Sequence, residues 1–334
     1  MKLTIKDIAK MAGVSTTTVS LILNDKADRF NENTVEKVMK VVREHNYQPN
    51  FFARNMITKN TQTIGVILPD IKDYFFNQLF EGIETFFKQH NYGVVLYRTS
   101  HSKEQEEKAI NFMLSRSVSG IIFATPYLFD KDKYHDLQKN CPVMLLDRGR
   151  MERDKGKYYV DEYQGARDLM DYLYQQGHRK IALIKENKDY YQLTERTKAY
   201  YDALKSYELP VNDALVQTTS LNVEGGYLAM EELLKKDQDF TAVVCTNDYL
   251  ALGAYRALQL KGYKIPTDVS VVGFDNIDLS QYLTPSLTTV AQPIFEMGNT
   301  VAEMLLHRIE NPDTQLENKI FKSQLVIRES VRKL

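Results

Sequence analysis

Apolar residues recur along this 334-residue chain at two different periods. Near the start the period is helical. Ile5, Ile8, Ala9 and Ala12 fall at i, i+3, i+4 and i+7, which is one face of a helix. Val19, Ile22 and Leu23 form a second such face, and Val35, Val38, Met39 and Val42 a third. From residue 61 onward, short apolar runs alternate with helix-length segments. The runs 63–68 (TIGVIL), 93–97 (GVVLY), 120–124 (GIIFA), 142–147 (PVMLLD), 180–185 (KIALIK), 242–246 (AVVCT), 270–274 (SVVGF) and 287–290 (LTTV) read as strands. Helical spacing fills 76–90, 104–116, 163–176, 195–206, 224–235 and 248–261. Strand–helix alternation predicts parallel sheets covered by helices on both faces.

The punctuation of the first segment is informative. Thr4 can cap the first helix and Ser15 the second. Only Gly13, Val14 and Ser15 separate them, the short glycine-containing turn of a helix-turn-helix. Gly13 can take the positive φ of that turn, and Ala9 is small where the two helices must cross. Asn31 caps the third helix. Thr16 and Thr17 occupy the first turn of the second helix, away from its apolar face. In a helix-turn-helix that turn faces base edges in the major groove. Short hydroxyls donate or accept there, and threonine and leucine methyls can touch the thymine methyl. Thr18 and Ser20 are better placed for phosphates or for capping. Pro49 ends the third helix, and Asn50 can cap a further short helix to Met56. That segment is too short to be stable alone. It offers Arg54 to phosphate and leaves Met56 exposed, and a polar linker, ITKNTQT, follows.

Charge sharpens this division. Residues 1–60 carry ten basic and six acidic side chains, net +4, while the remainder is −5. A basic head on an acidic body points to a polyanionic partner for the head. Other classes fall away. No apolar run reaches membrane-spanning length, and the start lacks the apolar core of a secretion signal, so a cytoplasmic protein is expected. Cys141 and Cys245 sit in apolar surroundings without metal-ligand spacing and read as buried thiols of a reducing compartment. No G-x-S-x-G, P-loop, G-x-G-x-x-G or H-E-x-x-H motif occurs, and the six histidines are dispersed, His178 reading as structural. Neither catalysis nor a cofactor or metal is expected.

Ligands of parallel sheets bind beyond the carboxyl ends of the strands. The first strand is followed by PDIKDYFF, the fourth by Asp147 and Arg148, and the fifth by a loop leading to Arg196. The strand at 242–246 is followed by Asn247 and Asp248, and that at 270–274 by Asp275 and Asn276. Carboxylates, an amide and a guanidinium thus converge on one cleft, with aromatics on its first-half side. Asp and Asn can bridge adjacent hydroxyls, Arg donates a fork, and rings cover the C–H face of a sugar. Each has a plainer reading too. Asp275 and Asn276 can cap a helix, and Asp147 can pair with Arg148.

TIKDIAKMAGVSTTTVSLILND, the NTVEKV start of the third helix and NYQPNFFARNM resemble the LacI/GalR family of bacterial transcription regulators. The resemblance continues through TQTIGVILPDI, SGIIFA, VMLLDR, GHRKIALI, CTNDYLALGA, IPTDVSVVGFDN, LTTVAQP and VIRES. It implies a small all-α helix-turn-helix head plus an α/β, two-lobed, periplasmic-binding-protein-like body with parallel sheets. The implied domains are 1–48 (DNA-binding), 49–60 (hinge helix and linker) and 61–334 (effector-binding and dimerisation). Lobe one takes about 61–160 and 291–319, lobe two about 161–290 and 320–330. The implied partners are double-stranded operator DNA, a small-molecule effector of sugar type and a second copy of the chain. No membrane is implied.

The DNA-facing set expected is Thr4, Ser15, Thr16, Thr17, Thr18, Ser20, Leu21, Asn24, Asn50, Ala53, Arg54 and Met56. Met56 stands where the family's minor-groove wedge is usually leucine, and Leu21 where many members read a base with arginine or histidine. The effector set expected is Asp70, Tyr74, Phe75, Asp147, Arg196, Asn247 and Asp275, with one ring of Tyr74 or Phe75 on the ligand. YYVDEYQGA matches the first lobe crossing, where Asp161 either reaches the ligand or caps the next helix. Leu221 stands where several members place an aromatic lid, which argues for a small ligand. Two other effectors are compatible with the family: a phosphorylated carrier protein and a purine. The Tyr190 and Leu221 positions offer a purine little. No leucine heptad follows Ser330, so a dimer is expected rather than a tetramer. Induction and co-repression both fit.

Overall fold

The computed structural model describes residues 3–23, 26–47, 61–124, 137–146, 158–187, 191–236, 239–314 and 317–334. Asn24, Asn50, Ala53, Arg54, Met56, Asp147, Arg148 and Tyr190 lie outside the described residues. The chain divides into two compact units, Met1–Thr61 and Gln62–Leu334.

The first unit is a three-helix head. Helix α1 (Ile5–Ala12) begins at Thr4, whose backbone N–H and hydroxyl both donate to the Asp7 carboxylate, at 2.8 and 2.7 Å. These bonds hold the Asp7 carboxyl below its usual range. Gly13 ends α1 with φ +67°, a conformation that costs glycine little. Helix α2 (Thr16–Ile22) is capped by the Ser15 hydroxyl, which accepts from Thr18 N at 3.0 Å. Helix α3 (Glu32–Glu44) is capped by Asn31. Ile8, Ala9, Val19, Ile22, Val38 and Tyr47 form the buried centre, with Val35, Met39 and Val42 packed around it. One small cluster serves all three helices.

The second unit contains two four-stranded parallel sheets. Strand β1 (Thr63–Leu68), helix α4 (Tyr74–Gln89), β2 (Gly93–Arg98), α5 (Lys103–Ser115), β3 (Gly120–Phe123) and β4 (Val143–Leu145) build the first, in the order β2-β1-β3-β4. After β5 (Tyr158–Val160) the chain continues through α6 (Glu162–Gln175), β6 (Ile181–Glu186), α7 (Tyr191–Ser206) and β7 (Val216–Thr219). Then come α8 (Val223–Lys235), β8 (Ala242–Cys245), α9 (Asp248–Leu260) and β9 (Ser270–Val272). The second sheet runs β7-β6-β8-β9. Both sheets reverse strand order beside their first strand, so both present a crevice at the carboxyl edge.

Strand β10 (Thr289–Ala291), α10 (Ile294–Glu310), β11 (Lys319–Phe321) and β12 (Gln324–Val326) complete the body. Strand β11 lies parallel to β5, and β12 antiparallel to β10. Tyr158, Val160, Ile294, Met297 and Phe321 join the core of the first sheet. Ala166, Val290 and Leu325 join the core of the second. The chain therefore passes between the lobes three times: after β5, after β10, and between β11 and β12. Helices α4 and α10 cross at Gly82 and Gly298, where a Cβ on Gly82 would fall on the Phe295 carbonyl.

Cys141 and Cys245 are buried and unbridged, and burial pushes the Cys141 thiol up to about 11. His178 is fully buried between the Thr241 hydroxyl (2.8 Å) and the Arg332 carbonyl (3.1 Å), tying the C-terminal segment to the second lobe. Among the described residues no helix is long and apolar enough to cross a membrane, and no His/Cys/Asp/Glu cluster has metal-binding geometry.

Candidate effector cleft and nucleic-acid surface

In the head, Val19 and Ile22 turn inward and leave Thr16 and Thr17 exposed on the opposite side of α2. Both hydroxyls are presented at the helix N-terminus, where backbone N–H groups also point outward. Thr18 is spent locally: its hydroxyl lies 2.9 Å from Ser15 Oγ and its N–H donates to the same atom. Ser15 and Thr4 are likewise engaged in capping. Ser20 and Leu21 are half-buried.

In the body, Arg196 on α7 lies at the carboxyl end of the second sheet and is almost completely buried. Each of its three nitrogens is bonded. Nε donates to Glu162 at 2.6 Å, Nη1 to the Thr246 carbonyl at 2.5 Å, and Nη2 to Asp275 Oδ1 at 3.0 Å. Its plane covers the Phe274 ring at 3.7 Å. Burial works against the cation, but the Asp275 and Glu162 carboxylates override it and hold Arg196 charged. The cluster is wider than this pair. Glu186, at the end of β6, accepts from the Thr246 hydroxyl at 2.8 Å, and burial raises its carboxyl above the usual range.

Asp275 follows β9 with φ +108°, which side-chain-bearing residues rarely adopt. Its N–H donates to the Val290 carbonyl at 2.9 Å, which fixes this conformation against β10. Gln292 Nε2 donates to Asp275 Oδ1 at 2.6 Å. Among the described residues both side-chain bonds to Asp275 fall on Oδ1. Burial pushes its carboxyl up to about 6, against the pull of Arg196. Asp248, fully buried, accepts from the Thr289 hydroxyl (2.7 Å) and Ile277 N (2.9 Å). Burial, reinforced by the Asp275 charge, pushes it up to about 8.

The first lobe contributes the start of α4. Asp73 caps that helix, accepting from Phe75 N at 2.9 Å. Burial and the negative charge of Asp275 push its carboxyl up to about 6. Tyr74 packs against the first-lobe core and lines a small cavity with Gln292; burial and the charges of Asp278, Asp275 and Asp248 raise its phenol above the usual range. Phe75 is edge-on to Phe76, with centroids 5.3 Å apart, and packs on the first-lobe core.

Arg196, Asp275 and Tyr74 of the expected set therefore share one electrostatic neighbourhood. Asn247 lies on the same sheet edge, where its side chain caps α9 by accepting from Leu250 N at 3.0 Å. Asp70 departs from the group. Its carboxylate accepts from Lys72 N and pairs with Arg98 at 3.6 Å, a turn arrangement outside the cluster. Asp161 caps α6 through Gln164 N. Leu221 packs against the second-lobe core. Residues that pattern reading passed over are Asp73, Glu162, Glu186, Gln292 and Tyr249, the last raised by burial and by the charges of Asp73, Asp275 and Asp248. Asp73 carried the one usable signal, a cap residue directly before a helix that opens with aromatics.

Residues 61–329 match the family described as periplasmic binding proteins and sugar binding domain of the LacI family, and residues 4–50 match bacterial regulatory proteins, lacI family. The chain belongs to the LacI family of bacterial regulatory proteins. It is 32% identical over 333 residues to the probable HTH-type transcriptional repressor ExuR of Bacillus subtilis, covering 99% of each chain. It is 34% identical over 334 residues to the repressor PurR of Vibrio campbellii, again with 99% of each covered. Among solved structures, the Lac repressor dimer bound to operator and the anti-inducer ONPF superposes with a TM-score of 0.89 at 26% identity, covering 99% of this chain and 100% of that one. A LacI family regulator from Enterococcus faecium with bound ribose gives 0.74 at 34% identity, covering 81% of this chain and 99% of that one. The chain is thus a LacI-family transcription regulator, and its relatives are repressors rather than enzymes.

Proposed function

We propose that this LacI-family regulator is a cytoplasmic, homodimeric repressor of a carbohydrate-utilisation operon, and that a small sugar-type effector in the cleft switches its operator affinity. The observation that carries this reading is the Arg196–Asp275–Gln292 constellation. It fixes a carboxylate at the crevice between the lobes, with Asn247 on the same edge and Tyr74 opposite. A fixed carboxylate accepts hydrogen bonds from vicinal hydroxyls, and an aromatic ring covers the apolar face of the same sugar. The ribose-bound relative, at 34% identity over this body, supports the same class of effector. On the DNA side, Thr16 and Thr17 are the residues offered to base edges, and the basic head supplies attraction to phosphate.

The test is a thermal-shift screen of sugars on the full chain. A ligand at about 100 times its dissociation constant adds roughly 2.7 kcal/mol to the stability. Calorimetry on Asp275→Ala should then show affinity for the active sugar reduced about ten- to a hundredfold, for loss of a charged hydrogen bond of on the order of 1.5–3 kcal/mol. Undiminished affinity would remove Asp275 from the site. A purine effector is the second reading, favoured by the PurR relative and by the rings of Tyr74 and Phe75. A purine arm in the same screen separates the two.

A further inference from the structure

We infer that Asp248 is a positioning residue for effector recognition: it clamps the turn that carries Asp275 onto the lobe crossing, and so aims the carboxylate that meets the effector. This inference rests on the effector-cleft reading above and deepens it. Asp275 and Asn276 both have positive φ, +108° and +54°. Two consecutive side-chain-bearing residues hold such a conformation only where their surroundings impose it. Asp248, the first residue of α9, brackets this turn from both sides. Its N–H donates to the Phe274 carbonyl at 2.8 Å, and its Oδ2 accepts from Ile277 N at 2.9 Å. Phe274 and Ile277 are the residues immediately before and after the positive-φ pair.

The other carboxylate oxygen reaches the crossing. Oδ1 accepts from the hydroxyl of Thr289, on β10, at 2.7 Å. From Thr289 onward the strand supplies further contacts of Asp275. The Val290 carbonyl accepts from Asp275 N at 2.9 Å, Ala291 is bridged to Asp275 in parallel register, and Gln292 Nε2 donates to Asp275 Oδ1 at 2.6 Å. One side chain thus holds both the turn and the strand in the register that delivers Gln292 to Asp275. Gly273 leaves room for it, since a Cβ there would fall on the Asp248 carboxylate. Asp248, Thr289, Phe274 and Ile277 are all buried. A buried donor that loses its acceptor bears the full cost of its desolvation, so the clamp is not readily replaced. Both oxygens of Asp248 are directed at protein donors, and it acts on an effector through Asp275.

The experiment joins amide exchange to a double-mutant cycle, both on the full chain. In Asp248→Ala without added sugar, exchange at the amides of Asp275 and Ile277 should quicken at least about tenfold, while β1 and α4 of the first lobe keep wild-type rates. A general loss of stability would quicken both lobes. Calorimetry with D-ribose, D-glucose and D-galactose then reads recognition. For a sugar that binds wild type, Asp248→Ala should weaken affinity at least about fivefold. With Asp275→Ala already present it should weaken it less than about twofold further, because the effect passes through Asp275. Asp248→Asn still accepts from Ile277 N and can donate to Thr289 Oγ1, so its affinity should stay within about threefold of wild type. Thr289→Val removes the crossing bond alone and should weaken binding at least about twofold, which keeps the inference testable if Asp248→Ala fails to fold. Unchanged exchange across the turn overturns the clamp. A loss that persists in full beside Asp275→Ala overturns the positioning role, because Asp248 would then act independently of Asp275. If none of the three sugars binds wild type, the sugar reading loses its support, and the exchange rates alone uphold or overturn the clamp.

Discussion

Asp248 holds its proton to about 8, whereas an unfolded aspartate releases it near 3.9. Between those values the folded chain binds more protons than the unfolded one, so stability falls as pH rises. The contribution is fully present below about 4 and lost through about 8; Asp73 and Asp275 act in the same direction up to about 6. Asp248→Asn keeps an acceptor for Ile277 N and removes the largest of these protonations. Its melting temperature should therefore fall less than that of the wild type between about pH 5 and pH 8.5, by several degrees. A parallel decline in both proteins would show that Asp248 is ionised in the fold at neutral pH. Residues of this kind divide by legibility. Asn247 and Asp275 were readable because each directly follows an apolar run, where a parallel strand must end at the ligand edge. Gln292 was not, because its meaning depends on a lobe crossing that brings it 2.6 Å from a carboxylate seventeen positions away. Glu162 and Glu186 look like ordinary surface acids in sequence; only their burial beside Arg196 reveals them.

Elements with a strong period were legible, and those whose existence depends on a partner were not. The three head helices and the eight longer runs have their own apolar faces. Strand β7 (VQTT) lies at a sheet edge and has little to bury, while β5, β11 and β12 are three-residue strands defined by pairing at the crossings. The caps were local enough to read, and two tests follow from local geometry. Ser15→Ala removes the acceptor for Thr18 N and should cost about 1 kcal/mol. In the intact chain this appears as faster amide exchange across Thr16–Ile22 and weaker operator binding. Exchange unchanged from wild type would mean that the hydroxyl contributes nothing beyond solvent. The second concerns a close helix crossing. Gly82→Ala places a methyl against the Phe295 backbone, which cannot rotate away, and should destabilise the body by on the order of 1–3 kcal/mol. Denaturant titration reads this directly, and an unaltered midpoint would show that α4 and α10 separate at little cost.

At the scale of the whole molecule, the two units must influence each other if the cleft is a switch. The body offers a physical route to such influence, because three chain crossings join two separately packed cores. A bound effector that bridges Asp275 and the start of α4 favours one relative placement of those cores over others. It can shift the equilibrium only by the difference in its affinity for the two arrangements. Whether that shift raises or lowers operator affinity depends on which arrangement suits the head, so induction and co-repression require the same residues. Linkage fixes one quantity regardless of sign. Operator DNA must change effector affinity by the same factor that effector changes operator affinity. For couplings of about 1–3 kcal/mol that factor is about 5- to 150-fold, well within calorimetric reach. The expected result is a dissociation constant for the active sugar that differs by this factor with and without saturating operator duplex. In Asp275→Ala, which retains the head, the duplex should still bind while the difference collapses toward unity. Equal sugar affinities in the wild type, for a sugar that demonstrably occupies the cleft, would mean that this sugar is not the effector that moves the switch.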